Sequence, residues 1–210
     1  MADERWVRGY RMAFGVLTLV AIAYQAGDLA DQGGFRPGNF FSFFTIQSNL
    51  FAAVVLLWGA TRDPERRDPT AVDLVRGAAT LYLSITGIVV AVLLSGMQEG
   101  LAVPVVWVDD VVHQIIPIVM VADWLIVPPT TRIAPRRVLI WLVYPLLYAT
   151  YSLLRGTIVD WYPYPFLNPD HAGGYGVVAL YVIGLTVSSL LVGWLVVFVG
   201  NRLGQPAVRT

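Results

Sequence analysis

Hydropathy along the chain rises into six apolar stretches parted by short polar ones: Tyr10–Gly27, Phe41–Gly59, Leu74–Leu94, Val103–Val127, Val138–Leu154 and Tyr175–Val199. Each is close to the ~20 residues that carry an α-helix across a ~30 Å hydrocarbon core. None alternates with the period of two that a membrane-spanning strand needs. Lipid offers backbone groups no partner, so each segment must satisfy its own, and the pattern predicts an all-α polytopic membrane protein, a bundle of six transmembrane helices. The polar intervals are too short for a folded soluble module, which leaves one integral-membrane domain over residues 1–210. The charged interval Thr61–Thr70, broken by Pro64 and Pro69, reads as a connector. Gly87, Pro117, Pro145 and Gly184 fall inside spans, where neighbouring helices can satisfy freed backbone groups. No repeat at a fixed period and no inverted repeat between the halves is visible, which argues against a transporter.

Composition agrees with this picture, because 57% of the residues are hydrophobic and only 13% charged, with a mean hydropathy of +0.65. Charge then adds orientation. All fourteen basic residues are arginine. Arg5, Arg8, Arg11, Arg62, Arg66, Arg67, Arg76, Arg132, Arg136, Arg137, Arg202 and Arg209 fall on one side of the predicted topology, with only Arg36 and Arg155 on the other. The positive-inside bias therefore predicts cytoplasmic N- and C-termini in a plasma (inner) membrane. Three arginines ahead of an apolar run, with Ala21-Ile22-Ala23 as a possible cleavage site, imitate a signal peptide. The run is long enough to span and five more follow, so a retained first span is expected. Zero formal charge argues against nucleic-acid partners, which require a basic face. The lack of cysteine and lysine removes disulfides, thiolate chemistry and Schiff-base chromophores. Trp6, Tyr10, Trp58, Trp107, Trp124, Trp141, Trp161, Tyr162 and Tyr164 gather near predicted interfaces as an aromatic belt would.

Against this apolar background, ionisable residues inside spans stand out, because their cost in lipid usually marks a site. On a helix, Asp109 lies four residues and Asp110 three residues before His113, so either carboxylate reaches the imidazole. A carboxylate holding one ring nitrogen leaves the other as a proton acceptor, the arrangement of a general base. In the second stretch Ser42, Thr45, Ser48 and Asn49 recur at spacings of three and four and share a helix face, with Gln47 elsewhere. Such groups commonly bond a carbonyl one turn back or join helices, and spacing alone gives little reason to read Thr45 as a nucleophile. Counting from Phe41 and Trp107 as interfacial residues places Thr45 about 6 Å and His113 about 9 Å below the outer surface, which permits contact.

Arg155 is expected either to pair Asp109 or Asp110 or receive a substrate carboxylate, or else to snorkel to headgroups. The aromatic, proline-rich stretch Asp160–Pro169, with Trp161, Tyr164 and Phe166, suggests either a lid over a site or a loop packed at the membrane surface. Asp123 reads as an interface residue and His171 as solvated. One intramembrane histidine beside two aspartates falls short of a metal site, so no metal and no cofactor are expected.

Three islands in order, Phe44–Leu50, Trp107–His113 and Trp161–Leu167, together with the six-span layout, resemble the androgen-induced membrane-protein family, and the chain is closest to its bacterial members. Animal members include threonine hydrolases of fatty acid esters of hydroxy fatty acids. The resemblance implies Thr45 as nucleophile and His113 as essential histidine, with Tyr164–Leu167 matching an aromatic motif. The expectation is then an intramembrane lipid-ester hydrolase that acts on membrane lipids or a lipid-like ester. Asp109 or Asp110 would orient His113, and Ser48, Asn49, Arg155 or span-end amides would stabilise the oxyanion. The alternatives are a non-catalytic lipid- or small-molecule-binding membrane protein and, behind it, a proton-coupled transporter.

Overall fold

A computed structural model describes residues 4–62, 69–94 and 105–204. Arg66, Arg67, Arg209 and the first two residues of the fourth predicted stretch, Val103 and Pro104, lie outside them. In chain order the helices are α1 (Glu4–Asp31), α2 (Pro37–Phe40), α3 (Phe44–Thr61), α4 (Pro69–Leu93), α5 (Val106–Asp110), α6 (Ile116–Ile126), α7 (Val138–Val159), α8 (Pro169–Ala172) and α9 (Tyr175–Leu203). A π-helical turn, Val111–Ile115, joins α5 to α6 without a break. Short 3-10 turns cover Pro135–Arg137 and Pro165–Leu167. The described residues contain no strand. Five helices, α1, α3, α4, α7 and α9, are long and apolar enough to cross a membrane.

The outer faces of the bundle are apolar. Ile158 is 80% and Leu180 67% exposed, and Leu147, Leu154, Ile183 and Leu191 are exposed beside them. Only 22% of the most apolar window of α9 is buried by the rest of the chain, although its mean hydropathy is 2.4. Patches of this kind are rare on monomers in water and ordinary against lipid tails. Inside, α4 is the central helix and packs on α3, α6 and α9, while α1 lies along α3 and α7 along α9. Small residues allow the close approaches. A methyl group on Gly77 would sit 2.5 Å from the Trp141 ring, and one on Gly200 2.7 Å from Trp124. With no hydrophobic drive between helices in lipid, such van der Waals fits and interhelical hydrogen bonds hold the bundle together.

Helices α1, α4, α7 and α9 overrun the predicted spans by several residues, and two further departures bear on the site. Phe41–Phe43 do not belong to the second long helix: α3 begins at Phe44, after Phe43 in an extended conformation, and Ser42 lies in the preceding turn. Pro37 opens the separate one-turn α2, and the phenylalanines that raise local hydropathy instead pack edge-on among themselves, as Phe35 does on Phe40 and Phe40 on Phe41. The fourth stretch is also not uniform α-helix, for a reason given below.

At the end of the bundle remote from α2, Asp123 of α6 is 2% exposed. It faces the inside of the bundle. Arg11 Nε donates to its Oδ1 at 2.6 Å, and Arg76 donates from Nε and Nη2 to its Oδ2 at 3.0 and 2.8 Å. Asp73 lies 3.6 Å from Arg76 and accepts from the Thr130 amide at 2.9 Å. Two arginines and two aspartates thus cancel, the usual requirement for burying charge.

Candidate active site

At the opposite end, α3 and the π turn bring two of the sequence candidates into contact. His113 Nε2 lies 3.2 Å from Thr45 Oγ1, and His113 Nδ1 lies 2.7 Å from Asp109 Oδ1. Thr45 and His113 are buried, whereas the Asp109 side chain is 28% exposed. A carboxylate accepts only, so Nδ1 is the donor to Asp109, and in the neutral imidazole Nε2 is then the nitrogen that can accept from the Thr45 hydroxyl. Asp109 rather than Asp110 is the partner; Asp110 accepts from Gln114 Nε2 at 2.9 Å.

The π turn that carries His113 has a cause in the sequence. Ile116 N–H bonds to Val111 O, five residues back, instead of Val112 O. In that register the donor for Val112 O is residue 117, a proline with no N–H. The proline ring also crowds the carbonyl of residue 113 in a regular α-helix, which favours widening the turn. Asn49 supplies the missing donor: its Nδ2 gives hydrogen bonds to Val112 O at 3.0 Å and to Thr45 O at 2.9 Å. Both acceptors are carbonyls, which fixes the orientation of the amide. Gly87 of α4 faces this turn, where a methyl group would make ordinary contact with Pro117 Cβ at 3.5 Å and His113 O at 3.6 Å.

Thr45 is the second residue of α3 rather than a full turn inside the helix. Its backbone N–H donates to Tyr164 Oη at 3.2 Å, and that phenol oxygen lies 3.4 Å from Thr45 Oγ1. Tyr164 is buried, stacked on Phe166 with centroids 5.2 Å apart and edge-on to Phe43 at 5.7 Å. Burial pushes its phenol above the ordinary range, against the opposing pull of bonds from the Thr45 side chain, the Thr45 and Phe44 amides and Tyr148. The sequence offered Tyr164 only as an aromatic of the loop. Its hydroxyl contact with Thr45 depends on the loop after α7 folding back over the bundle, aided by Asp160 in the left-handed region at φ 51° and by Gly156, whose missing side chain makes room for the Tyr162 ring.

The other candidates are bound elsewhere. Ser48 Oγ donates to Thr45 O at 3.2 Å and pairs with Thr86 Oγ1 at 3.2 Å, joining α3 to α4. Ser42 Oγ donates to Gly38 O at 2.5 Å and meets the Tyr151 hydroxyl at 2.8 Å. Arg155 pairs with neither aspartate: its Nη2 donates to Asn39 Oδ1 at 2.7 Å and its guanidinium lies over Trp161 at 5.0 Å. Trp161 in turn packs edge-on to Phe43. His171 bonds with Asn168, away from this cluster.

A narrow apolar cavity of about 90 Å³ reaches Thr45 and Tyr164 from the side of α4, α7 and α9, lined there by Ile85, Leu142, Tyr148 and Leu185 among others. It shares Ile85, Val89 and Leu185 with a wider cleft between α4 and α9, about 470 Å³ in volume, which reaches Ile88, Val92 and Leu180 on the outer face. His113 lines neither, so the base and the apolar path approach Thr45 from different sides. Comparison of the chain with protein families, with curated proteins and with solved structures finds no match in any of the three.

Proposed function

We propose that the chain is a six-span membrane hydrolase of lipid or lipid-like acyl esters, with Thr45 as nucleophile, His113 as general base and Asp109 as its orienting carboxylate. The observation that carries this reading is the linear set Thr45 Oγ1, His113 Nε2, His113 Nδ1, Asp109 Oδ1, with 3.2 and 2.7 Å between partners on different residues. An otherwise weak hydroxyl nucleophile requires a base within hydrogen-bond reach that a third group orients. The sixth span is Val106–Ile126, whose 21 residues (five in α5, five in the π turn and eleven in α6) extend close to the ~30 Å of a hydrocarbon core. With six spans, the arginine distribution sets both termini in the cytoplasm of a plasma (inner) membrane and the Thr45 site near the outer surface.

The reaction follows from the groups present. The Thr45 proton passes to His113 Nε2 as Oγ bonds to the ester carbonyl carbon and the carbonyl electron pair moves onto its oxygen. Collapse of the adduct breaks the bond to the alcohol, which leaves with the proton held by His113. A water then attacks the acyl-threonine, giving its proton to His113, and expulsion of Thr45 Oγ, reprotonated from His113, releases the acid. The acyl chain takes the apolar path between α4 and α9, and water comes from the side of the partly exposed Asp109. The Trp161–Phe166 segment acts as the lid that keeps the nucleophile dry.

Purified protein in detergent, treated with a fluorophosphonate and offered p-nitrophenyl esters of increasing chain length, tests this. The expected result is a covalent adduct on the peptide containing Thr45, turnover that favours medium or long acyl chains, and loss of both in Thr45→Ala and His113→Ala. Wild-type protein that neither forms the adduct nor cleaves any ester, or turnover that survives in Thr45→Ala, would overturn the assignment.

A further inference from the structure

An acyl transfer of this kind needs a donor for the oxygen that becomes negative, and removing one such donor in other hydrolases lowers kcat about 10²–10³-fold. The polar groups that the sequence offers for this task are committed or placed elsewhere. Ser48 is engaged with Thr45 O and Thr86, both amide protons of Asn49 with Thr45 O and Val112 O, and Arg155, bound through Nη2 to Asn39 under Trp161 with Nη1 left over, does not line the cavity that reaches Thr45.

We propose that the Tyr164 hydroxyl is this donor: it hydrogen-bonds to the substrate carbonyl oxygen as Thr45 adds to the ester, with the Thr45 backbone N–H as the second donor. The inference rests on the hydrolase reading. Its geometry is that of an electrophilic catalyst. The phenol oxygen lies 3.4 Å from the nucleophilic oxygen and 3.2 Å from the Thr45 amide, so the carbonyl oxygen, carried on the carbon that bonds to Thr45 Oγ1, can be placed between both donors. Tyr164 and Thr45 line the apolar path together and His113 does not, so the carbonyl arrives with the phenol on one side and the base on the other. Stacking on Phe166 and the edge contact with Phe43 hold the ring, and a donor held in place before the reaction has no reorganisation to complete during it. In the resting site the phenol oxygen accepts the Thr45 N–H; once the carbonyl oxygen is seated, both groups point at it. Deep burial keeps the phenol protonated at neutral pH, as a donor must be.

The test compares wild type with Tyr164→Phe, which keeps the ring and its stacking, on p-nitrophenyl octanoate and on an octyl trifluoromethyl ketone that forms a tetrahedral adduct with the nucleophile. The expected result is a ~10²–10³-fold fall in kcat with KM within a few-fold, and a rise in the ketone Ki by the same factor. A Tyr164→Phe protein that keeps the wild-type kcat, while wild type hydrolyses ester through Thr45, overturns the role of Tyr164 and leaves the hydrolase reading intact. A lower rate with an unchanged ketone Ki also overturns it, since misfolding reduces the number of sites and not their affinity. Wild-type protein that cleaves no ester defeats the hydrolase reading and this inference with it. If Tyr164→Phe does not fold, 3,5-difluorotyrosine placed at position 164 preserves the hydroxyl and makes it more acidic. The alkaline limb of the rate profile is then expected to move to lower pH, and a limb that stays in place overturns the proposal.

Discussion

Replacing Asn49 with leucine removes the one side-chain donor that holds the π turn. In wild type its amide bridges Thr45 O, on the nucleophile's own residue, and Val112 O, next to the base. Thr45 O keeps its bond from Ser48, so the loss falls on Val112 O, whose donor in the π register is the missing N–H of Pro117. A buried carbonyl left without a partner costs about 1–3 kcal/mol. The chain has two responses. It keeps the π turn and bears that cost as lower stability, or it rewinds Val111–Ile115 so that Ile116 N–H reaches Val112 O. Rewinding swings His113 relative to α3, and a displacement of about 1 Å at a catalytic contact lowers the rate on the order of 100-fold.

Thermal denaturation in detergent, followed by tryptophan fluorescence, reads the first response, and ester turnover by the folded protein reads the second. Pro117→Ala provides the discriminating partner, because it restores an N–H that in the π register points at Val112 O. In a double-mutant cycle the two substitutions are expected to couple by about 1 kcal/mol, with Pro117→Ala recovering stability in the Asn49→Leu background beyond its effect in wild type. An Asn49→Leu protein as stable and active as wild type, or two strictly additive effects, would refute the account of the π turn.

Other perturbations separate the parts of the site. Asp109→Asn is expected to lower kcat at least about 100-fold with little change in KM, whereas Asp110→Asn, whose contact is with Gln114, leaves both near wild type; steady-state kinetics on one ester decide it. Asp123→Asn leaves two buried arginines short of a partner and is expected to cost about 3–5 kcal/mol in chemical denaturation, while kcat per labelled site stays unchanged. Leu185→Trp, at the junction of the cavity and the cleft, is expected to raise KM for a decanoyl ester about tenfold or more while sparing an acetyl ester, and equal effects on both would remove the acyl path from the α4–α9 side.

What the sequence revealed and what it hid divide along a physical line. Asp109 and His113 are four apart on one helix, so their contact follows from local geometry, and Thr45, Ser48 and Asn49 share a face for the same reason. Their burial was legible too. The 3.2 Å approach of Thr45 to His113 is a matter of how α3 and Val106–Ile126 are set against each other, and hydropathy carries no register between helices. The signal for the π turn was present as Pro117, four residues after His113, but its consequence needs Asn49 from another helix. The hydroxyl contact of Tyr164, read from sequence as a lid or belt aromatic, was hidden because only the return of its loop turns the hydroxyl inward. The ion pairs of Asp123 were hidden for a similar reason: its partners Arg11 and Arg76 lie 112 and 47 residues away in sequence.

The two ends of the bundle handle charge in lipid in opposite ways. At one end Arg76, Asp73 and Asp123 are buried and Arg11 partly so, and they are tolerated because each lies against a partner of opposite sign. At the other, the buried chemical groups are a threonine hydroxyl, an imidazole and a phenol joined by hydrogen bonds, and the carboxylate beside the imidazole is partly exposed. Ions would form there only during a reaction, as an imidazolium beside Asp109 and an oxyanion beside Tyr164. Each would appear next to a group already placed to receive it, in surroundings of low dielectric where such contacts are stronger than in water. The end around Asp123 is locked by its ion pairs, and the end where a hydroxyl, an imidazole and a phenol meet beside an apolar cavity is the one with room to develop charge, which is why catalysis is proposed for Thr45 and not for the more conspicuous cluster around Asp123.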